Sequence, residues 1–192
     1  MSRQKEFDPD QIIQKAMVLF WEKGYTATSV DDLVTHLNLN RSSLYHTFGG
    51  KHDLFVLALQ SYRQQIITAL AQMLESTPSL KEAFWLICTQ SIESHPPMNQ
   101  WGCFMVNCIT ELLPHDPKVA AIATGYTDAV QALILMKIQQ DIEAQRITLN
   151  HSPTELAFFL FNTFQGLKVM LKTGSPLVSL YAVRDITLSL LD

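Results

Sequence analysis

The sequence predicts an all-α protein in which a small N-terminal domain with a helix-turn-helix precedes a larger helical domain, with about nine helices in total. Apolar residues recur at helical spacing along most of the 192 residues. Capping residues, glycines and prolines separate these stretches where helix ends are expected. Neither a strand pattern nor an internal repeat is convincing.

The composition is typical of a globular protein, with 47% hydrophobic and 17% charged residues. Three cysteines without framework spacing favour a reducing cytoplasm. The N-terminus has no signal pattern, and polar residues interrupt the apolar stretch 156–171, so no membrane segment is expected. No pair of cysteines or histidines has metal-ligand spacing, so neither a metal nor a cofactor is expected.

The first predicted helix spans residues 8–23, with Asp8 as its N-cap and Gly24 as its stop. Two short helices follow within residues 29–48 and form the helix-turn-helix. Their caps and the turn between them come from polar residues that suit these positions: Ser29, Asn38 and Asn40.

Six further helices are predicted between breakers. They cover residues 51–76, 80–93, 101–113, 117–146, 153–172 and 177–191. Residues 95–97, His-Pro-Pro, end the second of these helices. The domain boundary is expected inside the long fourth helix, which gives domains at residues 6–66 and 67–192.

Charge alone does not predict a nucleic-acid partner, because the net charge is −4. Residues 1–60 hold six cations and seven acids. From residue 33 to residue 52, however, there is no acid, only Arg41, Lys51 and three histidines. On charge alone a solvated helix face is the preferred explanation, so charge supports nucleic-acid binding only in combination with a motif.

Residues 8–60 resemble the N-terminal domain of the TetR family of transcriptional regulators. The most specific part is LYHTFGGKHDLF, residues 44–55. The family pattern also runs through residues at matching spacing: Ile12, Ala16, Leu19, Phe20, Gly24, Ser29, Val30, Leu33 and Leu39. The resemblance implies an all-helical homodimer that binds operator DNA, is released by a ligand, and uses its C-terminal domain for ligand binding and dimerisation.

Three positions depart from the family pattern. Asn38 stands where glycine is common, and Thr47 stands where a second histidine is frequent. Gly49 and Gly50 replace the usual polar cap before the lysine, which predicts a looser entry to the fourth helix.

The resemblance assigns the DNA contacts to two groups. The phosphate backbone is the target of Tyr45, His46, Thr47 and Lys51, and the last of these lies at a helix N-terminus, which attracts phosphate. Thr28 and Ser29 offer hydroxyls and amides at the start of the second helix. The base edges are the expected targets of three residues at the start of the recognition helix, Arg41, Ser42 and Ser43. A bidentate pair between Arg41 and guanine contributes about 1–3 kcal/mol of discrimination.

The C-terminal domain is expected to bind an unidentified small molecule through bulky residues interspersed with polar groups. The candidates are Trp85, Cys88, Trp101, Cys103, Phe104, Asn107, Phe159, Asn162 and Gln165. Cys103 follows Gly102 at a predicted helix start, where backbone amides favour a thiolate, so a thiol-reactive inducer is one hypothesis. A small buried core residue is the other interpretation of Cys103.

The last two helices are the dimerisation elements that the resemblance implies. Apolar and small residues there suit an interface: Phe158, Phe161, Gly166, Val169, Met170 and Leu180. The same residues suit an intramolecular core, and the sequence does not separate the two possibilities.

Two other classes of function remain open at this stage. An all-helical enzyme is disfavoured because no phosphate loop, nucleophile elbow or zinc motif occurs. Acids such as Glu93 and Glu111 have no partner that the sequence suggests. An interaction module without DNA binding is disfavoured by Tyr45 and Lys51. Repression rather than activation is a family default.

Overall fold

The computed structural model describes residues 7–94 and 98–191, and within these ranges it is all-helical, as predicted. The helices are α1 (Pro9–Lys23), α2 (Val30–Leu37), α3 (Arg41–Phe48), α4 (Lys51–Ser76), α5 (Leu80–Glu93), α6 (Phe104–Leu112), α7 (Pro117–Glu143), α8 (Pro153–Lys172) and α9 (Leu177–Leu188). Short 3-10 turns cover Met98–Trp101 and Ser189–Leu191. The predicted stop at residues 95–97 lies outside the described residues.

The predicted caps of the N-terminal helices are confirmed. Asp8 accepts a hydrogen bond from the amide of Asp10 at 3.0 Å, and Asn40 accepts one from the amide of Ser43 at 2.7 Å. Ser29 forms a reciprocal capping box with Asp32. These bonds satisfy amides that have no partner within their own helix, so each helix start is determined locally.

Three predicted boundaries were wrong, each by a few residues. The sixth helix begins at Phe104 instead of residue 101, because Gly102 with φ 69° separates it from the 3-10 turn. The seventh ends at Glu143 instead of residue 146, because Gln145 adopts the left-handed conformation with φ 55°. The last α-helix ends at Leu188 and tightens into the 3-10 turn.

The chain divides into two compact units. The first contains the described residues of Met1–Gln65 together with Asn107–Ala123. The second contains the described residues of Ile66–Val106 and Thr124–Asp192. The helices α4, α6 and α7 contribute residues to both units.

In the first unit, α1 packs against α2 and α2 packs against α3. The core between them is apolar, and Leu33 and Leu44 are fully buried within it. Phe20 contacts Phe55 edge to face, with ring centroids 5.1 Å apart. These contacts hold α2 on α1 and α3 on α2, and they join α1 to the start of α4. The two short helices need such support, since helices of eight residues are marginal alone.

In the second unit, α5, α8 and α9 pack against one another, and α8 also contacts the 3-10 turn before α6. Two charged side chains of α7 are buried beside the link between α4 and α5. Lys137 donates to the carbonyl oxygen of Thr77 at 2.7 Å, and Asp141 accepts from the amide of Leu80 at 2.6 Å. The two side chains therefore cap the end of α4 and the start of α5.

Among the described helices, α7 is long and apolar enough to cross a membrane by length and composition. The apolar stretch 156–171, for which the sequence predicts no membrane span, lies in α8 instead. Lys137 and Asp141 of α7 are buried and bind backbone groups of the second unit. These contacts are those of a helix in a folded protein core, where polar groups are satisfied by protein partners.

Candidate nucleic-acid interface

The recognition helix α3 has one buried side and one exposed side. Leu44 and Phe48, four residues apart, are buried in the first unit. The remaining residues are exposed or partly exposed: Arg41, Ser42, Ser43, Tyr45, His46 and Thr47. Leu44 and Phe48 therefore anchor the helix, and its polar residues face away from that core.

The start of α3 is held by an ion pair with α2. A terminal nitrogen of Arg41 lies 2.8 Å from a carboxylate oxygen of Asp31. This hydrogen bond and the charge of Asp31 raise the pKa of Arg41 above its ordinary value. Arg41, the predicted base-reading residue, thus already has a partner within the protein.

The backbone conformation after α3 explains why two glycines follow this helix. Gly49 ends the helix in the left-handed conformation with φ 84°, and its amide donates to the carbonyl oxygen of Tyr45 at 3.0 Å. Gly50 follows with φ 133°, and a Cβ atom there would lie 3.2 Å from Cε1 of Tyr45. Glycine at both positions allows α4 to begin immediately and leaves room for the Tyr45 ring.

Lys51 is the first residue of α4. Its ammonium nitrogen lies 4.2 Å from the centre of the Tyr25 ring, a cation–π contact. Burial lowers the pKa of Lys51, and the charges of Glu111 and Asp32 oppose that shift. The lysine is therefore positioned by the connector between α1 and α2, beside the free amides at the start of α4.

Thr28 requires a correction to the predicted contact set. Its side chain is fully buried, and its hydroxyl donates to the carbonyl oxygen of Gly24 at 2.6 Å. The hydroxyl is thus used to close the connector and is withdrawn from solvent. Ser29 is exposed, but its hydroxyl takes part in the capping box with Asp32 at 2.8 and 3.0 Å.

A carboxylate that the sequence left without a role positions this connector. Glu111 on α6 accepts hydrogen bonds from the backbone amides of Tyr25 at 3.1 Å and Thr26 at 2.6 Å. Burial alone raises the pKa of Glu111, but these hydrogen bonds and the charge of Lys51 bring it below its ordinary value. No local sequence signal connects residues about 85 positions apart, so only the fold could identify this contact.

Further charged residues of the first unit support the start of α4. A ring nitrogen of His52 lies 2.7 Å from a carboxylate oxygen of Asp116. Lys118 pairs with Asp53 at 3.1 Å. These pairs anchor the backbone after Gly49–Gly50, and buried Phe48 anchors the backbone before it, which limits the looseness that two glycines introduce.

The predicted ligand residues differ in burial and surroundings. Asn107 belongs to the first unit, and the other eight belong to the second. Trp85, Phe159 and Asn162 are exposed, and the Trp85 ring lies 5.5 Å from the guanidinium carbon of Arg184. Phe104 is buried in the core, Trp101 lies in the 3-10 turn, and burial raises the pKa of Cys88 to about 12.

One subset of these residues meets in a buried polar cluster. Cys103 is hydrogen-bonded to Tyr126, and the hydroxyl of Tyr126 accepts from Gln165 at 3.3 Å. The side-chain oxygen of Gln165, Oε1, is buried and has no hydrogen-bond partner among the described residues. Burial lowers the pKa of Lys168, and the charge of Cys103 acts in the opposite direction.

The chain resembles known regulators over its full length. Residues 12–58 match the family model described as bacterial regulatory proteins, tetR family. The chain is 31% identical over 198 residues to the HTH-type transcriptional regulator YezE of Bacillus subtilis (strain 168), and the match covers 100% of both chains. It is also 31% identical over 194 residues to the HTH-type transcriptional repressor ComR of Escherichia coli (strain K12), with 98% and 90% coverage.

Solved structures share the fold. A cysteine mutant of the TetR family regulator CifR, complexed with 26-base-pair operator DNA, is 25% identical with a TM-score of 0.81 and 100% coverage of both chains. Reduced NemR of Escherichia coli is 17% identical with a TM-score of 0.83 and coverage of 96% and 97%, which supports the fold alone.

Proposed function

The chain belongs to the TetR family of bacterial transcriptional regulators, and we propose that it is a cytoplasmic homodimeric repressor that binds a palindromic operator and is released by a small-molecule or thiol-reactive inducer. The observation that supports the proposed DNA contacts is that α3 has a buried side, anchored by Leu44 and Phe48, and an exposed polar side. An eight-residue helix with an exposed polar side suits the major groove, which admits one helix.

The proposed contacts are divided by position. Tyr45, His46, Thr47 and Lys51 bind phosphates and determine the orientation of the protein on the duplex. Ser29 contributes through its exposed position at the start of α2. Arg41, Ser42 and Ser43 read base edges. Thr28 is left out because its hydroxyl is buried.

Selection from a randomised duplex library with the purified chain tests the proposed function. We expect enrichment of one palindrome whose half-site centres lie about 34–36 Å apart, because a symmetric dimer presents two recognition helices. Fluorescence anisotropy on the enriched duplex then gives an affinity that falls steeply with salt. Absence of enrichment at low salt would overturn the proposal.

The proposed dimer interface lies on α8 and α9. Both helices expose large apolar side chains, and Val178 and Ile186 are 74% and 68% exposed. Phe158, Val169 and Met170 of the predicted interface are also exposed. Phe161 is partly exposed and Gly166 is exposed, whereas Leu180 is buried and belongs to the core of the second unit. Exposed apolar side chains in such number are typical of an interaction surface.

Replacing Ile186 with glutamate is expected to convert the protein from dimer to monomer, because two like charges would face each other near a symmetric interface. Sedimentation equilibrium measures the change as a fall from twice the mass of one chain to the mass of one chain. The matched control is Met136→Glu, which introduces the same charge at an exposed apolar residue of α7. Equal masses for the two variants would contradict the proposed interface.

A thiol-reactive inducer would act at Cys103. The polar cluster of Tyr126, Gln165 and Lys168 supports this site, because it places polar side chains beside this cysteine. In the proposed reaction the thiol loses its proton, sulfur bonds to an electron-poor carbon, and the proton is added to the neighbouring carbon of the adduct.

N-ethylmaleimide is expected to release the wild-type protein from its selected operator and to add one reagent mass at Cys103. Cys103→Ser should remain bound under the same treatment. Cys88→Ser is the control, because burial raises the pKa of Cys88 to about 12 and leaves that thiol protonated. Equal release of Cys103→Ser and wild type would contradict the thiol mechanism and leave a non-covalent inducer.

A further inference from the structure

The ion pair between α2 and α3 involves the one permanent cation between residues 33 and 50, Arg41. Its guanidinium nitrogen lies 2.8 Å from Asp31, and the two side chains are 60% and 76% exposed. Asp31 lies in the first turn of α2, and Arg41 is the first residue of α3. The pair therefore joins the two helices of the helix-turn-helix on their solvent side.

Asp31 is distinct from its neighbour Asp32. Asp32 is already engaged by Lys23 at 2.8 Å and by the amide and hydroxyl of Ser29. Both carboxylates line an open cleft of about 370 Å³, together with Leu19, Thr35 and His36. The charge of Asp32 is offset within the first unit, whereas Asp31 is available to Arg41.

We propose that Asp31 is a specificity-determining positioning residue that acts through Arg41. This inference rests on the proposed function. The carboxylate accepts a hydrogen bond from one terminal nitrogen of the guanidinium, which restricts the orientation in which the other donors face a base edge. It also offsets the charge of Arg41, so that phosphates of arbitrary sequence attract it less.

Both effects are expected to have the small magnitude that is typical of an exposed ion pair. Replacing Asp31 with asparagine is expected to raise affinity for non-operator DNA about two- to fivefold, because Arg41 becomes free to bind any phosphate. The discrimination against substitution of the base pair read by Arg41 is expected to fall by a similar factor, since more orientations of the side chain become accessible. The asparagine is nearly isosteric and exposed, so the fold should be unaffected.

The experiment uses the randomised duplex selection, followed by anisotropy on the enriched palindrome, on single-base variants of it and on a scrambled duplex. Four proteins form a double-mutant cycle: wild type, Asp31→Asn, Arg41→Ala and the double variant. Glu22→Gln is the matched control, because it removes one exposed acid of α1 in the same unit. Circular dichroism confirms that each variant is helical.

The expected result is a loss of discrimination at one base pair per half-site in Asp31→Asn, no such loss in Glu22→Gln, and no added effect of Asp31→Asn once Arg41 is alanine. If Asp31→Asn discriminates as wild type does, the positioning role is wrong. If the effect persists without Arg41, Asp31 acts by another route and the inference is equally overturned. Failure of the wild type to enrich any sequence would overturn the proposed function, and this inference with it.

Discussion

Replacing Lys51 with alanine is expected to weaken operator affinity at least tenfold and to reduce its salt dependence. Lys51 begins α4, where its ammonium is held against the Tyr25 ring and lies beside unpaired helix amides. Each phosphate contact that is lost reduces the slope of log affinity against log salt by about 0.9, so a dimer loses about 2. Anisotropy between 50 and 200 mM salt, about the range where such slopes are steep, measures both quantities.

Lys15→Ala is the control for this experiment. Lys15 is exposed on α1 and is not among the proposed contacts. A general loss of positive charge would reduce the slope equally in both variants. Equal slopes would therefore contradict a specific phosphate contact at Lys51, whereas a smaller slope in Lys51→Ala alone would support it.

Replacing Asp141 with alanine is expected to lower the free energy of unfolding by about 1.5–3 kcal/mol, the range for hydrogen bonds to a charged group. The Asp141 side chain is fully buried and accepts from the Leu80 amide at 2.6 Å and from Arg146 at 2.9 Å. Alanine removes the acceptor of the Leu80 amide at the start of α5 and leaves that buried amide without its partner. Urea unfolding followed by circular dichroism measures the change.

Arg146→Ala separates the two hydrogen bonds of Asp141. The Arg146 side chain is 46% exposed whereas Asp141 is fully buried, and removing Arg146 leaves the carboxylate its hydrogen bond from the Leu80 amide. The cost of Asp141→Ala should exceed that of Arg146→Ala because only the former affects the Leu80 amide. Equal losses in the two variants would show that the ion pair, and not the helix cap, stabilises this link.

The boundaries of the short N-terminal helices could be predicted because their signals lie within a few residues of the ends. Ser29 and Asp32 cap each other three positions apart, and Asn38 adopts the left-handed turn that Asn tolerates, with φ 51°. The start of α6 was predicted less accurately. Gly102 was included in a helix that it in fact precedes, because the same residue type can end, begin or interrupt a helical pattern.

For the candidate site, too, some features could be predicted from the sequence and others could not. The anchoring of α3 by Leu44 and Phe48 follows from a four-residue spacing that is visible in the sequence. The burial of Thr28 is not visible there, because a threonine before a helix cap is as readily exposed as buried. The sequence also could not show that, of the nine proposed ligand residues, Cys103 and Gln165 meet around Tyr126, because the three residues are far apart in the chain.

By itself, the sequence determined the all-helical architecture, the helix-turn-helix and the family, since these depend on periodicity, caps and a local motif. Tertiary structure alone decided that Glu111 holds the connector before α2, that Asp31 binds Arg41, and that Asp141 caps α5. These contacts join residues 10 to 85 positions apart. A carboxylate can find its donor on any element that folding brings near, so its partner leaves no periodic signal in the chain.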